Sequence, residues 1–323
     1  MGVLDQTALP GTERWIELHG VDDTVAALQA LSVRGAPLIG IVAGYTMALE
    51  VSRDPGALKP AADALVAARP TAVNLSYAVE RVAAAARRGG AEAARAEAEA
   101  IHAEEDAAAA AIARQGADTL AGARRILTHC NTGALAAGGE GSALGVIREL
   151  ARRDPAVEVL ACETRPLLQG ARLTVWECER AGLRHALLVD AAAAGLIRQG
   201  EVDAVIVGCD RVAANGDVAN KVGTYAHALA AAAAGIPFVV AGPTSSIDPN
   251  TAAGDAIIVE ERNADEVRRV GASVVTSPHV PVRNPAFDIT PATLITALVT
   301  ERGVAAPPDA DAIAALLAAP VAA

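Results

Sequence analysis

The stretch Ala204–Tyr225, AVIVGCDRVAANGDVANKVGTY, is the most informative in the chain. Its first four residues, Ala204-Val205-Ile206-Val207, form a strand-like apolar run that stops at Gly208. Small or ionisable residues follow: Cys209, Asp210, Arg211, Asn215, Gly216, Asp217, Asn220 and Lys221. Open α/β sheets build sites in this way, with polar side chains delivered at the carboxyl ends of buried strands. A plain turn in which Asp210 caps the next helix would need the carboxylate alone. The Asn, Asp and Lys cluster running to Gly223-Thr224-Tyr225 goes beyond that need, and the stretch reads as a polar loop that forms a site.

The same rhythm of strand, glycine-bearing loop and helix extends on both sides. Residues 125–129 lead into Asn131-Thr132-Gly133 and a helix from Ser142; residues 157–161 lead into Glu163-Thr164-Arg165-Pro166 and a helix through Glu179. Strands are also expected at 186–189 and 237–241, with helices at 191–198 and 225–234. Strands alternating with helices of this length imply a mostly parallel sheet wound with right-handed crossovers. Upstream the signals are helical: Asp22-Asp23 opening a helix to Ala30, Pro37–Glu50, Asn74–Arg88 ended by Gly89-Gly90, and an Ala/Glu/Arg-rich run over Ala91–Arg114 that suits one long exposed helix. The expected fold class is therefore α/β, with a mainly helical amino-terminal domain over residues 1–118 and a Rossmann-like domain over 119–323. No internal repeat is apparent, which excludes a solenoid.

Composition narrows the function. Among 323 residues 52% are hydrophobic but only 2% aromatic, so the apolar content is small and helix-favouring. No window has the roughly 18 strongly apolar residues of a membrane span, and the start, MGVLDQTALPGTERW, does not read as a secretory signal. The chain is expected to be cytoplasmic. A net charge of −11 argues against a nucleic-acid surface, because phosphate backbones demand clustered cations. A phosphorylated small molecule needs only a few placed Arg, Lys and backbone amides. The cysteines, Cys130, Cys162, Cys178 and Cys209, have no CxxC spacing, and the six histidines are scattered at 19, 102, 129, 185, 227 and 279. No metal site and no cofactor are expected on these grounds, and no glycine fingerprint supports a dinucleotide. Cys162, Cys178 and Cys209 read as small core residues.

Four polar constellations stand at element ends. In Val33-Arg34-Gly35-Ala36-Pro37, Gly35 lets backbone approach a ligand, and helix-start amides with Arg34 would seat an anion. The bland alternative is a turn with a solvated arginine. Arg69-Pro70 reads first as a helix entry, with Pro70 near the first turn and Arg69 in solvent. In Thr128-His129-Cys130-Asn131-Thr132-Gly133 a thiol ends a strand before a glycine loop; it is either a site residue or a buried structural cysteine. His129 and Cys130 should point to opposite faces and are not paired. The fourth is the Asp210 loop.

Taken together, VRGAPLIG, RPTAVNLSYA, ILTHCNTGALA, CETRPLLQGARLTVWE, GCDRVAANGDVANKVGTY and NPAFDITPATLI resemble, in order, the motif series of the methylthioribose-1-phosphate isomerase family of methionine salvage, from LDQTALP near the start to Glu301-Arg302-Gly303-Val304. The wider superfamily includes ribose-1,5-bisphosphate isomerases and regulatory subunits of the eukaryotic initiation-factor-2 exchange factor. The resemblance implies a homodimer that converts an aldose 1-phosphate to a ketose 1-phosphate without metal or cofactor. Carried over by position, it implies Asp210 as general acid, Cys130 as the thiol, and substrate contacts at Arg34, Gly35, Ala36, Arg69, Gln169, Asn220 and Lys221. Leu38, Thr132, Tyr77 and Cys209 depart from the family pattern, and Leu38 and Tyr77 are expected to border the pocket for the sugar's 5-substituent. The other readings are an isomerase of ribose 1,5-bisphosphate or 5-deoxyribose 1-phosphate, and a non-catalytic sensing subunit. Asp210 would act only if protonated near neutrality, which burial would favour. Hydrogen transfer from carbon 2 to carbon 1 is open between an enediol route and a hydride shift.

Overall fold

The alternation of apolar strands and helices folds into a layered α/β molecule, described in a computed structural model over residues 1–69 and 72–319. The chain opens with an antiparallel strand pair, β1 (Gly2–Leu4) and β2 (Trp15–Glu17). Four helices follow: α1 (Val21–Gln29), α2 (Ala36–Arg53), α3 (Leu58–Ala68) and α4 (Val73–Thr119). Asp22 and Asp23 sit in the first turn of α1, where the helix dipole favours negative charge. In α2 the apolar positions Ile39, Val42, Ala43, Met47 and Val51 are buried against Leu65 of α3 and Leu75, Val79 and Val82 of α4.

The sheet segment runs β3 (Arg125–Thr128), α5 (Ala143–Arg153), β4 (Glu158–Cys162), α6 (Val175–Arg180), β5 (Arg184–Leu188), α7 (Ala193–Arg198) and β6 (Ala204–Val207). It continues with β7 (Arg211–Ala213), β8 (Val218–Lys221), α8 (Thr224–Ala234), β9 (Phe238–Ala241) and β10 (Ile247–Asp248). After α9 (Asp265–Arg268) and the short pair β11 (Arg269–Val270) and β12 (Ser273–Val274) come β13 (Phe287–Thr290), β14 (Ala297–Thr300), β15 (Gly303–Ala305) and α10 (Ala310–Ala318).

The main sheet has the order β15-β14-β9-β6-β3-β4-β5, and every pairing is parallel except β14 with β15. All residues of β6, β9 and β14 are buried, as strands covered on both faces must be. The chain steps from β3 to β4 and β5 on one side, then returns to β6, β9 and β14 on the other. The strand order therefore reverses between β3 and β6, and a crevice opens at their carboxyl ends.

Three local expectations are revised. Asn74–Arg88 and Ala91–Arg114 are two arms of α4 across a kink, where Gly89 (φ −144°) and Gly90 (φ +67°) leave helical geometry. The second arm is not simply exposed: Ala94, Ala98 and Ile101 join the helical core, and Ile112, Ala117 and Leu120 pack with Leu144, Val146 and Ile147 of α5 against the sheet. Alanine's small side chain permits that close approach while reading as surface in a composition count. The polar stretch after Asp210 is also not a loop throughout. β7 and β8 pair antiparallel, joined through Asn215-Gly216, in a second sheet of order β10-β7-β8-β13. Gly216 has φ +85°, and a Cβ there would collide with the Pro308 carbonyl. Asn-Gly between apolar residues is the hairpin signal that betrays this turn. Pro70, expected near a helix start, and Thr71 lie outside the described residues.

The helical layer is stitched to the sheet by a polar chain. Asn74 Nδ2 donates to Ser245 Oγ (2.9 Å), Ser245 Oγ donates to Glu105 Oε1 (3.2 Å), and Glu301 accepts from the Thr244 amide (2.9 Å) and hydroxyl. Burial pushes the Glu105 carboxyl up to about 7 from 4.5; the Ser245 hydrogen bond opposes this and the nearby Glu301 charge adds to it. A carboxyl raised in the folded state contributes stability that is complete below pH 4.5 and is lost as pH rises through about 7. Glu105→Gln should therefore raise stability at about pH 8 by up to about 3 kcal/mol and leave it little changed near pH 4.5. Urea unfolding at the two pH values checks this; an equal effect at both would refute it.

Candidate active site

All nine residues named from the sequence line one cavity at the β3–β6 crevice: Arg34, Gly35, Ala36, Arg69, Cys130, Gln169, Asp210, Asn220 and Lys221. Asp210 follows β6 and Cys130 follows β3, so the strand reversal brings together two groups 80 residues apart in sequence. Behind Asp210 the buried strand Ala204–Val207 fixes the backbone, and its own amide donates to the Ala219 carbonyl (3.0 Å), tying it to the β7–β8 hairpin.

Burial raises the Asp210 carboxyl above the ordinary carboxylate range, and this outweighs the opposing pull of Lys221, Arg69 and Arg34. The shift is toward the protonated form, the direction an acid donating into the cavity requires. Cys130 adopts φ +66°, a left-handed conformation uncommon for a non-glycine residue. It is held there from both sides: its amide donates to Thr164 Oγ1 (2.8 Å), and its carbonyl accepts from Thr174 Oγ1 (2.7 Å). Strain of this kind persists only where the surroundings over-determine it, and it clusters at functional positions.

Arg34 is not solvated, contrary to the bland alternative: it is buried. Its Nε donates to Gln6 Oε1 (2.9 Å), Nη1 to the Asn131 carbonyl (3.2 Å) and Nη2 also to Asn131 Oδ1. Asn131 is held in turn by Glu177, whose Oε1 accepts from Asn131 Nδ2 (2.8 Å) and whose Oε2 accepts from the Ala134 amide (2.8 Å). Lys221 Nζ donates to the Ala286 carbonyl (2.8 Å) and lies 4.9 Å from the Phe287 ring centroid. Among the described residues, the direct partners of Arg34 and Lys221 are neutral, so their positive charge remains available to an anion. Arg69 is also not in solvent: its side chain is 18% exposed, and Nη2 is 3.9 Å from Glu260 Oε2. Arg69 Nε and Gln169 Oε1 are buried with no hydrogen-bond partner among the described residues. Such orphans at a cavity wall await a ligand or water.

The amide seat at the start of α2 is narrower than expected. Gly35 has φ +100°, and a Cβ would strike the Ala136 backbone; Pro37 has no N–H, and the Leu38 amide already donates to Ala136 O (3.2 Å). Asn220 Nδ2 donates to Thr224 Oγ1 (2.9 Å), which holds it at the cavity edge. Leu38 and Tyr77 do not line the cavity: Leu38 packs on the helical core, while Tyr77 is 45% exposed beneath the Arg81 guanidinium. Cys209 is not a simple core residue, since it does line the cavity, and burial pushes its thiol up to about 12. Cys162 and Cys178 are core residues. Cys130 lines the cavity, while the histidines do not stay scattered: His129, His227 and Cys162 meet in the interior.

Sequence reasoning missed the apolar wall, Leu31, Leu167, Ile257 and Phe287, and the supporting residues Gln6, Asn131 and Glu177. Gln6 and Glu177 lie inside quoted motifs but carried no chemistry until folding placed them beside Arg34 and Asn131. Ile257 has no local signal at all.

A doubly wound sheet whose crevice gathers a carboxyl, a thiol and cations beneath a helical layer defines the class. The chain belongs to the initiation factor 2 subunit family, whose model matches residues 32–307. It is 51% identical over 320 residues to the methylthioribose-1-phosphate isomerase of Anaeromyxobacter sp. (strain K), covering 98% of this chain and 94% of that one. Among solved structures, 5-methylthioribose 1-phosphate isomerase from Pyrococcus horikoshii OT3 superposes with TM-score 0.90 at 38% identity, covering 98% of this chain and 93% of that chain. A chain from A. fulgidus described as translation initiation factor eIF-2B, subunit delta, gives 0.87 at 38% identity, covering 98% and 96%. Within the family, this chain falls with the methylthioribose-1-phosphate isomerases.

Arg34→Ala should raise KM for a sugar 1-phosphate by about tenfold or more with a smaller change in kcat, the pattern expected of a cation that would hold phosphate in ground and transition states alike. Steady-state kinetics on the folded variant test this, and an unchanged KM would move the phosphate seat elsewhere.

Proposed function

We propose that this protein is an aldose–ketose isomerase that converts 5-methylthioribose 1-phosphate to 5-methylthioribulose 1-phosphate in methionine salvage. The observation that supports it best is the single crevice in which Asp210, Cys130 and the cations Arg34, Arg69 and Lys221 converge. Near 50% identity to named isomerases over almost the whole chain supports the substrate.

The chemistry requires these groups. With phosphate on the anomeric oxygen, the ring cannot open by release of a free hydroxyl. Protonation of the ring oxygen by Asp210 opens it while the phosphoester stays intact, and Arg34, Arg69 and Lys221 hold the phosphate. Cys130 then takes the proton from carbon 2 to give an enediol-type intermediate and delivers a proton to carbon 1, while the carbon 2 hydroxyl returns its proton to the Asp210 carboxylate and leaves the ketone. The group on carbon 5 meets the apolar side chains Leu31, Leu167, Ile257 and Phe287. A second phosphate would need a further cation, and the other arginines lining the cavity are already engaged: Arg262 by Glu260 (3.0 Å) and Glu266 (2.7 Å), and Arg211 by Asp248 (3.6 Å). This favours a methylthio group over the phosphate of ribose 1,5-bisphosphate. The relative described as an initiation-factor subunit raises a non-catalytic reading, against which stand the carboxylate and thiol present in this crevice.

We place the protein in the cytoplasm as a homodimer. Among the described residues no helix is long and apolar enough to cross a membrane, and the outer strand β5 leaves Leu187 and the following Val189 more than half exposed at a sheet edge. A division at residues 118/119 is supported by the separate helical core, although the last turns of α4 pack with the sheet.

Turnover of purified protein on 5-methylthioribose 1-phosphate, ribose 1,5-bisphosphate and 5-deoxyribose 1-phosphate tests the assignment, and absence of turnover on all three would support the sensing role instead. Asp210→Asn should lower kcat by about two to four orders of magnitude. The parent should lose activity on the alkaline side as Asp210 gives up its proton, and the Asn variant should lack that limb. A folded Asn variant with near-parental turnover would eliminate this role. Cys130→Ser should cripple turnover while leaving phosphate-ligand binding intact, and the parent in D₂O should place solvent deuterium on carbon 1. Solvent deuterium on carbon 1 would exclude a hydride shift, which keeps the substrate's own hydrogen.

A further inference from the structure

Three side chains that the proposed mechanism does not use meet just behind the crevice. His129 follows the last residue of β3, Cys162 ends β4, and His227 lies in the first turns of α8. All three are buried. His129 Nδ1 is 3.3 Å from His227 Nε2, His227 Nε2 is 3.7 Å from Cys162 Sγ, and one donor atom from each residue lies within 4.8 Å of the others.

Two of these separations, His129–His227 and His227–Cys162, match the edges of a coordination tetrahedron. Zinc–nitrogen bonds of about 2.0–2.1 Å and zinc–sulfur bonds of about 2.3 Å at tetrahedral angles put nitrogens about 3.3 Å apart and nitrogen about 3.6 Å from sulfur. The imidazole of His129 is oriented for this: its Nε2 sits 2.9 Å from the Val222 carbonyl, which fixes the proton there and leaves Nδ1 with its lone pair toward His227. A backbone carbonyl on the far nitrogen is the usual support of a metal-bound histidine. A carboxylate stands near His129. Asp190 Oδ1 is 3.9 Å from His129 Nδ1. Its carboxylate is aimed by the amides of Thr164 (2.7 Å) and Arg165 (2.8 Å), and at 29% exposure it opens the cluster toward solvent.

We propose that Cys162 Sγ, His129 Nδ1 and His227 Nε2, with Asp190 as the fourth donor, form a binding site for a borderline-soft divalent metal ion, zinc by preference. Neutral imidazole and thiolate suit zinc, whereas magnesium and calcium select oxygen donors. On binding, the Cys162 thiol releases its proton to solvent, so that thiolate and carboxylate balance the ion's two positive charges. The site is separate from the catalytic reading and does not depend on it. Its effect is structural: it ties the ends of β3, β4 and α8, one residue from Cys130 through His129 and, through the Val222 carbonyl, one residue from Lys221.

The test is optical and independent of turnover. Full-length protein, freed of metal by chelator and kept reduced, is titrated with Co²⁺ alone. One equivalent should produce a sulfur-to-cobalt charge-transfer band and visible bands of tetrahedral intensity, both erased by added Zn²⁺. Cys162→Ser should abolish the charge-transfer band, Cys130→Ser should retain it, and His227→Gln should weaken affinity by about 100-fold or more. A folded parent with no charge-transfer band overturns the proposal, as does a band that survives in Cys162→Ser and vanishes in Cys130→Ser or Cys209→Ser. Should Cys162→Ser fail to fold, unchanged spectrum and affinity in His227→Gln overturn it equally.

Discussion

Ile126 and Leu127 of β3 lie beside Ala204 and Val205 of β6, and all four are sealed from solvent. From this seam the chain departs in opposite directions, to β4 on one side and β9 on the other, so no crossover covers the strand ends. Everything polar in the crevice depends on that arrangement. The apolar strands hold the backbone at Gly208 and Thr128, and only such a fixed base can carry Cys130 in a left-handed conformation or keep a carboxylate among protein walls.

Two opposing effects set the electrostatics of the crevice. Removing Asp210 from water disfavours its charge, while Lys221, Arg69 and Arg34 favour it, and burial prevails. The cations stay effective because the groups that position Arg34 and Lys221 are carbonyls and amides. A carboxylate in direct contact would have neutralised them; Glu177 is instead set one residue back, behind Asn131. The arrangement keeps a positive potential in the cavity at the cost of burying Glu177, whose burial raises it while Asn131 and the Ala134 and Leu135 amides pull it back.

The helical layer contributes more than a lid. Arg34 comes from the segment before α2 and Gln6 from the strand-pair region, yet both bond to the loop after β3: Arg34 to Asn131, and Gln6 Nε2 to the Leu135 carbonyl (2.6 Å). Arg172 reaches back the other way, donating to the carbonyls of Gln6 (2.7 Å) and Leu9 (3.0 Å). The cavity is therefore shared between segments whose apolar cores are separate, and its shape depends on these polar ties as much as on packing.

The sequence by itself determined the order of elements and the α/β class, because buried parallel strands read as continuous apolar runs and their helices end in Gly or Pro. It also determined which polar residues stand at strand ends, which is why Asp210 and Cys130 were legible as candidates from their local setting. The roles proposed for Gln169 and Arg69 came from motif resemblance, since nothing local marks Gln169 and the setting of Arg69 reads as a solvated helix entry. Only tertiary structure decided that Asn220 and Lys221 sit on a strand of a second sheet, because Val218-Ala219-Asn220-Lys221 ends in polar residues and so reads as loop, leaving the Asn215-Gly216 turn as the sole cue. Tertiary structure alone also excluded Tyr77 and Leu38 from the cavity, admitted Ile257 and Phe287, and gathered His129, Cys162 and His227. Those outcomes depend on which strand ends become neighbours across long sequence separations, and a local pattern of residues holds no record of that.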